Sequence, residues 1–184
     1  MNESVSLDFR HFGIFVVDIP LMKKFYTDVL GYFITDEGQF PNGQTLVFLS
    51  REPAEHHQII LVGGRPDKNG FNLVNQISFY IESLHALQCF YKLICANDVD
   101  DIQAVTHGNA WSVYFRDPEG NRIEVYTDTP WYVSQPLRKE IDLSADIEEI
   151  RNQTELLCQS LPGYCSRADW QASMRSLMNI GEEG

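Results

Sequence analysis

The stretch Val113–Tyr126, VYFRDPEGNRIEVY, decides how this chain is read. Val113, Tyr114 and Phe115 are β-branched or aromatic and predict a strand. Asp117-Pro118-Glu119-Gly120 is turn chemistry, with φ preset by proline and a left-handed position open to glycine. Arg122–Tyr126 then alternates: Ile123 and Val125 take one face, Arg122, Glu124 and Tyr126 the other. Glu124 is the anomaly in this strand–turn–strand pattern. An ionised carboxylate there sits in water, pairs with Arg122, or is held by a partner that offsets several kcal/mol of desolvation.

Working outward, Asp101–Val105 and Ala110–Phe115 predict two strands before Arg122–Tyr126. Ahead of them lie a strand at Gln76–Ile81, a helix cap at Ser83, and the helical stripe Leu84, Leu87, Phe90, Tyr91 and Ile94. The same order occurs earlier in the chain. Phe9–Val17 is a strand, Asp18 an N-cap with Pro20 in the first turn, and Leu21, Met22, Phe25, Val29 and Leu30 a helical stripe that Gly31 ends. Tyr32–Thr35, Thr45–Ser50 and His57–Val62 follow as strands, with Asp36–Gly43 a polar turn. Gln76 lies 65 residues after His11, and the same offset lays Ser83 on Asp18 and Phe90-Tyr91 on Phe25-Tyr26. This is an internal duplication.

The expected fold is therefore α+β: two βαβββ modules, 9–64 and 75–127, within a domain spanning 1–127. Residues 1–8 read as a mobile lead-in and Gly63–Gly70 as a linker. Asp128–Pro136 is an irregular aromatic link to a helical extension, 128–184. Its helices, Leu143–Ser160 starting at Ser144 and Arg167–Ile180, are expected outside the repeat, covering a sheet edge or forming a dimer contact.

Length and composition bound the rest. With 184 residues, 43% hydrophobic and 12% aromatic, the chain has enough apolar material for a sizeable core. A formal net charge of −12 argues against nucleic acid and anionic membranes as partners. No segment has the length and apolarity of a membrane span, and Met1–Arg10 lacks the pattern of a secretory signal. Cys89, Cys95, Cys158 and Cys165 form no CxxC pair, which fits reduced thiols in a cytoplasm. Cys89 and Cys95 are expected as helix packing residues.

The duplication also picks out a constellation. His11 begins the first strand of repeat one and His57 lies in its last strand. Glu124, in the last strand of repeat two, falls on His57 at an offset of 67 residues, once a two-residue insertion is allowed. Gln76 is the position matching His11. A pseudo-twofold axis would gather all four on one concave sheet surface. Two imidazoles and a carboxylate are the facial set that leaves positions open on Fe(II); a closed structural zinc site would want four ligands.

These segments, HFGIFVVDIPLMKKFYTDVLGY, HHQIILV and YFRDPEGNRIEVY, resemble the vicinal-oxygen-chelate superfamily over residues 9–127. Its members include glyoxalase I, fosfomycin and bleomycin resistance proteins, and type I extradiol ring-cleaving dioxygenases. The resemblance implies paired modules forming a cup around a divalent metal. Among these groups the chain looks closest to one-domain extradiol enzymes. For that reaction it implies Fe(II) or Mn(II) on His11, His57 and Glu124, an aromatic diol and O2 as substrates, and a homodimer. Tyr114 would hydrogen-bond the bound catechol. His107 and Asn109 match polar entrance residues, and His107 is the candidate for proton transfer. Phe15, Ile59 and Leu61 would line the cup, with Trp131 or Tyr132 closing its mouth. A glyoxalase-like lyase or isomerase would instead hold Zn(II) or Ni(II), with Gln76 as fourth ligand and Glu124 as base. A metal-free binder of drug-like molecules is the third class.

Overall fold

The structure, a computed structural model, describes residues 8–67, 70 and 72–178. They fall into two compact units, Met1–Leu73 with Asp117–Gly120, and Val74–Arg116 with Asn121–Gly184. The lead-in over residues 1–7 lies outside the described residues, as do residues 179–180 at the end of the last expected helix.

The first unit runs β1 (Phe12–Val16), α1 (Ile19–Asp28), β2 (Phe33–Gln39), β3 (Thr45–Ser50) and β4 (Ile59–Gly63). Its sheet has the order β1-β4-β3-β2, with β1 parallel to β4 and the remaining pairs antiparallel. Asp18 caps α1 by accepting from Leu21 N–H at 2.9 Å, and Gly31 ends the segment at φ +68°. Met22 and Tyr26 of α1 are fully buried, as are Val47, Leu49, Ile59 and Leu61 on one sheet face. β2 is longer than expected. It reaches Gln39 through an irregularity between Ile34 and Asp36, and the polar turn shrinks to residues 40–44 around Gly43. Its acidic residues sit on an exposed edge strand, where polarity does not oppose pairing on one side.

The turn Asp117–Gly120 clusters with this first unit. Glu119 is almost fully buried and its Oε1 accepts from Val17 N–H at 2.7 Å and Asp18 N–H at 2.8 Å. Arg65 Nη1 stands 3.4 Å from its Oε2. The sequence suggests that Arg116 and Arg122 pair with Asp117 and Glu119 or bind an acidic group of the substrate. Arg116 pairs with Asp101 at 3.1 Å.

The second unit repeats the order: β5 (Ile77–Tyr80), α2 (Leu84–Cys95), β6 (Gln103–Thr106), β7 (Ala110–Arg116) and β8 (Arg122–Asp128). Ser83 caps α2, and β5 is parallel to β8 as β1 is to β4. The extension adds β9 (Trp131–Tyr132), β10 (Lys139–Glu140), α3 (Ile147–Gln159), β11 (Cys165–Ser166) and α4 (Arg167–Met178). β10 pairs with β6, giving the sheet order β10-β6-β7-β8-β5 and covering the β6 edge. α3 is tied to the sheet by Trp111 Nε1–H, which donates to Thr154 Oγ1 at 2.9 Å in a buried setting. Its cap is Asp146 rather than Ser144, whose hydroxyl is taken by Asp142. All four cysteines are free thiols. Cys89 and Cys95 are exposed rather than packed, because the buried stripe of α2 runs through Leu84, Leu87, Gln88 and Ile94. No described helix is long and apolar enough to cross a membrane.

Candidate functional site

In the first unit, parallel pairing of β1 and β4 sets their starts side by side, and a histidine precedes each. The His11 and His57 rings lie 4.3 Å apart between centroids. An Arg10–Glu55 ion pair at 2.5 Å ties the two segments together. His56 Nδ1 stands 2.9 Å from His57 Nδ1, and Phe48 flanks the His57 ring at 5.3 Å. Desolvation, then the neighbouring His11 and His56, lowers the His57 pKa. The neutral imidazole is the form whose lone pair can bind a cation.

Phe15 and Ile59 do not share a wall. Phe12 pairs with Ile59 and Phe15 with Val62, so the alternation places Ile59 and Leu61 on the helix-covered face and Phe15, Ile60 and Val62 on the opposite one. Ile59 is fully buried and Phe15 is 61% exposed. Alternation in the sequence predicts His57, Ile59 and Leu61 on one face of a strand. The ladder begins only at Ile59, and Gln58 intervenes with its side chain on Arg51 N–H, so His57 joins the Phe48 face instead.

In the second unit Glu124 is the centre. It is 7% exposed and three side chains reach it: Tyr114 Oη–H at 2.5 Å on Oε1, and Ser78 Oγ–H at 2.6 Å and Gln76 Nε2–H at 2.9 Å on Oε2. The strand registers Ser78↔Glu124 and Tyr114↔Glu124 enforce this grouping. Burial, then the hydrogen bond to Glu124, raises the Tyr114 pKa well above its ordinary value, so the phenol keeps its proton. Arg122 lies over the Tyr114 ring at 4.2 Å rather than on Glu124.

His107 extends the network. Its Nε2 is 2.9 Å from Tyr114 Oη and 4.0 Å from Glu124 Oε1, while Nδ1 is 2.6 Å from the Leu137 carbonyl oxygen. A carbonyl only accepts, which assigns a proton to Nδ1 and, in the neutral ring, a lone pair to Nε2. The single Tyr114 hydroxyl proton then faces two acceptors, an imidazole nitrogen and a carboxylate.

The structure thus brings together Gln76, His107, Tyr114 and Glu124 in one unit, and His11 with His57 in the other. Among the described residues no group of three or more His, Cys, Asp and Glu side chains forms a metal cluster. The donor chemistry of each part nonetheless fits a divalent ion: two adjacent imidazoles, and a desolvated carboxylate. Asn109 stands apart from Glu124, in the turn before β7, where its carbonyl accepts from Thr129 N–H. Ser78 is a site residue that its own sequence context does not single out; its signal is that it lies two residues after Gln76 on one strand and hence on the same face. Parallel register also corrects one equivalence: Ser78↔Glu124 corresponds to Gly13↔Ile60, so Glu124 matches Ile60 rather than His57.

Residues 8–125 match the family described as the Glyoxalase/Bleomycin resistance protein/Dioxygenase superfamily, and the chain belongs to it. Biphenyl-2,3-diol 1,2-dioxygenase 3 of Rhodococcus globerulus is 28% identical over 130 residues, covering 68% of this chain and 65% of that protein. The chain therefore spans just under two thirds of the length of that curated relative. A glyoxylase/bleomycin resistance protein/dioxygenase domain from Frankia sp. EAN1pec superposes with a TM-score of 0.57 at 18% identity, over 68% of this chain and all of that one. The fosfomycin resistance protein FosX of Listeria monocytogenes, solved with Mn(II) and sulfate, gives a TM-score of 0.52 at 18% identity, over 70% and 95%. These likenesses establish the fold.

Proposed function

We propose that this chain is a metal-dependent extradiol dioxygenase, opening a catechol-like ring beside its diol and placing both atoms of O2 in the product. His11, His57 and Glu124 would hold the metal, Fe(II) first and Mn(II) second. The metal, when bound, supplies Lewis acidity toward the diol and a path for electrons between diol and dioxygen. The carrying observation is the Glu124–Tyr114–His107 arrangement. A buried acid is flanked by a phenol kept protonated and by an imidazole whose lone pair faces that phenol. Such a chain donates a hydrogen bond to a diol oxygen and accepts a proton from it through Tyr114 to His107 Nε2. Glu124 is locked by Ser78 and Gln76, so its free lone-pair directions are fixed before any ligand arrives. Positioning of this kind turns an encounter into near-attack partners. The curated dioxygenase relative supports the same reading.

The test is anaerobic loading with Fe(II), then addition of biphenyl-2,3-diol or catechol and air. The expected result is a yellow ring-opened product with one O2 consumed per diol. Protein that holds Fe(II) yet consumes no O2 with either diol overturns the proposal. So does turnover of a glutathione hemithioacetal with Zn(II) or Ni(II) in the absence of ring opening.

A further inference from the structure

The face of β8 that carries Glu124 continues through Tyr126 to Asp128, with Ala110 opposite Asp128 in the register. Residues beyond the family-matched segment close around this end. β9 supplies Trp131 and Tyr132, and β11 pairs back onto it through Cys165↔Tyr132 and Ser166↔Trp131. The chain then passes directly into α4, whose Trp170 stacks on Tyr132 with centroids 5.1 Å apart and planes 12° from parallel. Arg167 bars one side: Nη2 meets Asp128 Oδ2 at 2.7 Å, and its backbone N–H donates to the Pro130 carbonyl at 2.8 Å. What remains is a niche of about 140 Å³.

Size, walls and charge define what it takes. A dry cavity of ~150 Å³ accommodates one benzene ring. Tyr126, Trp131, Tyr132 and Trp170 offer ring faces and edges to an aromatic guest, and Asn109, Ala110, Asp128 and Arg167 complete the lining. Asp128 and Arg167 are paired at 2.7 Å, so the niche offers an ionic guest no uncompensated charge, and a neutral ring needs none. The location is equally specific. At ~3.3 Å per strand residue, Tyr126 lies about 7 Å and Asp128 about 13 Å along β8 from Glu124.

We infer that this niche binds a neutral aromatic ring. Resting on the reading of Glu124 as the reacting end, the substrate then carries a second aromatic ring, or a planar apolar substituent, beyond its oxygens. The helical extension is what supplies this selectivity.

Fluorobenzene titrated into the full chain, followed by its ¹⁹F signal and by tryptophan emission, tests the niche alone. Saturable binding is expected with Kd on the order of 1 mM. Ala110→Leu, which fills the niche, and Trp170→Ala, which removes a wall, should each weaken it at least tenfold, with circular dichroism verifying the fold. Non-saturable signals, or affinity unmoved in a folded variant, overturn the niche. With Fe(II), Ala110→Leu should raise KM for a phenyl-substituted catechol at least tenfold more than KM for catechol; equal changes also overturn it. Fluorobenzene binding without cleavage of either diol leaves the niche standing and sinks the dioxygenase reading instead.

Discussion

Glu119 gives the sharpest test of how the turn in VYFRDPEGNRIEVY is held. One of its carboxylate oxygens accepts two backbone N–H bonds, at 2.7 and 2.8 Å, from Val17, which follows β1, and Asp18, which caps α1. The other faces Arg65 at 3.4 Å, and the two side chains are 2% and 10% exposed. Hydrogen bonds to a charged group contribute about 1.5–3 kcal/mol each, and stranding buried donors costs about as much again as losing the bond. Breaking a buried ion pair from one side costs about 3–5 kcal/mol. These terms overlap, since they share one carboxylate, so Glu119→Ala should cost about 3–5 kcal/mol and not their sum. Glu119→Gln retains an oxygen for both N–H groups and loses only the charge facing Arg65, which also donates to Asn72 Oδ1 at 2.7 Å. It should cost about 1–2 kcal/mol. Urea unfolding of both variants measures the difference, and amide exchange at Val17 and Asp18 locates it. Glu119→Ala within about 1 kcal/mol of the parent would refute the reasoning. So would Gln costing as much as Ala, since charge rather than the acceptor would then carry the effect.

Tyr114→Phe removes the hydroxyl between Glu124 and His107 and should lower turnover roughly 100-fold while bound metal per chain stays the same, as metal analysis beside steady-state kinetics would show. Thr154→Val deletes the acceptor of the buried Trp111 indole N–H and should cost about 1–3 kcal/mol in chemical denaturation, with a shift in tryptophan emission; an unchanged midpoint would show that the indole finds another partner. Tyr26 is deeply buried beside Asp117, and burial first, then that carboxylate, raises its pKa. A raised folded-state value means stability is complete below the unfolded value of about 10 and is lost as pH rises toward the folded one. Urea midpoints from pH 8 to 11 should therefore fall in the parent and fall less in Tyr26→Phe; parallel profiles would exclude this contribution.

Much of the fold was legible because it was written twice. Asp18 and Ser83, the two helix caps, and the FY pairs set the register of the duplication, and both βαβββ orders follow. Periodicity failed where the backbone departs from regularity. Counting by twos from His57 put Ile59 on the wrong face because the strand had not yet begun. β2 continues past Asp36 because an exposed edge strand tolerates polarity that reads, in the sequence, as a turn. In the site, Glu124, Tyr114 and Gln76 were visible as polar residues on apolar strands, whereas Ser78 carried too small a signal alone. The roles of Trp131, Tyr132 and Arg167 were hidden for a different reason. They depend on β11 pairing back to β9, a two-residue ladder with no periodicity to read.

Laying the two registers over each other shows what duplication made possible. In the first unit the face away from α1 carries Gly13, Ile60 and Phe48 in one row and Phe15, Val62 and Leu46 in the next. The corresponding rows of the second unit are Ser78, Glu124 and Tyr114, then Tyr80, Tyr126 and Ser112. Gly13, Ile60 and Phe48 of the first row are equivalent to hydroxyl or carboxyl bearers in the second unit, while the opposite, core face stays apolar in both: Ile14, Leu61 and Val47 are equivalent to Phe79, Val125 and Val113. A common core keeps the module folded, and the other face is released to specialise. One copy became an aliphatic and aromatic wall beside two imidazoles; the other became a hydrogen-bonded acid. A module obliged to bury one face against its own helix has only the other face on which to place such chemistry, so each copy carries one kind of surface.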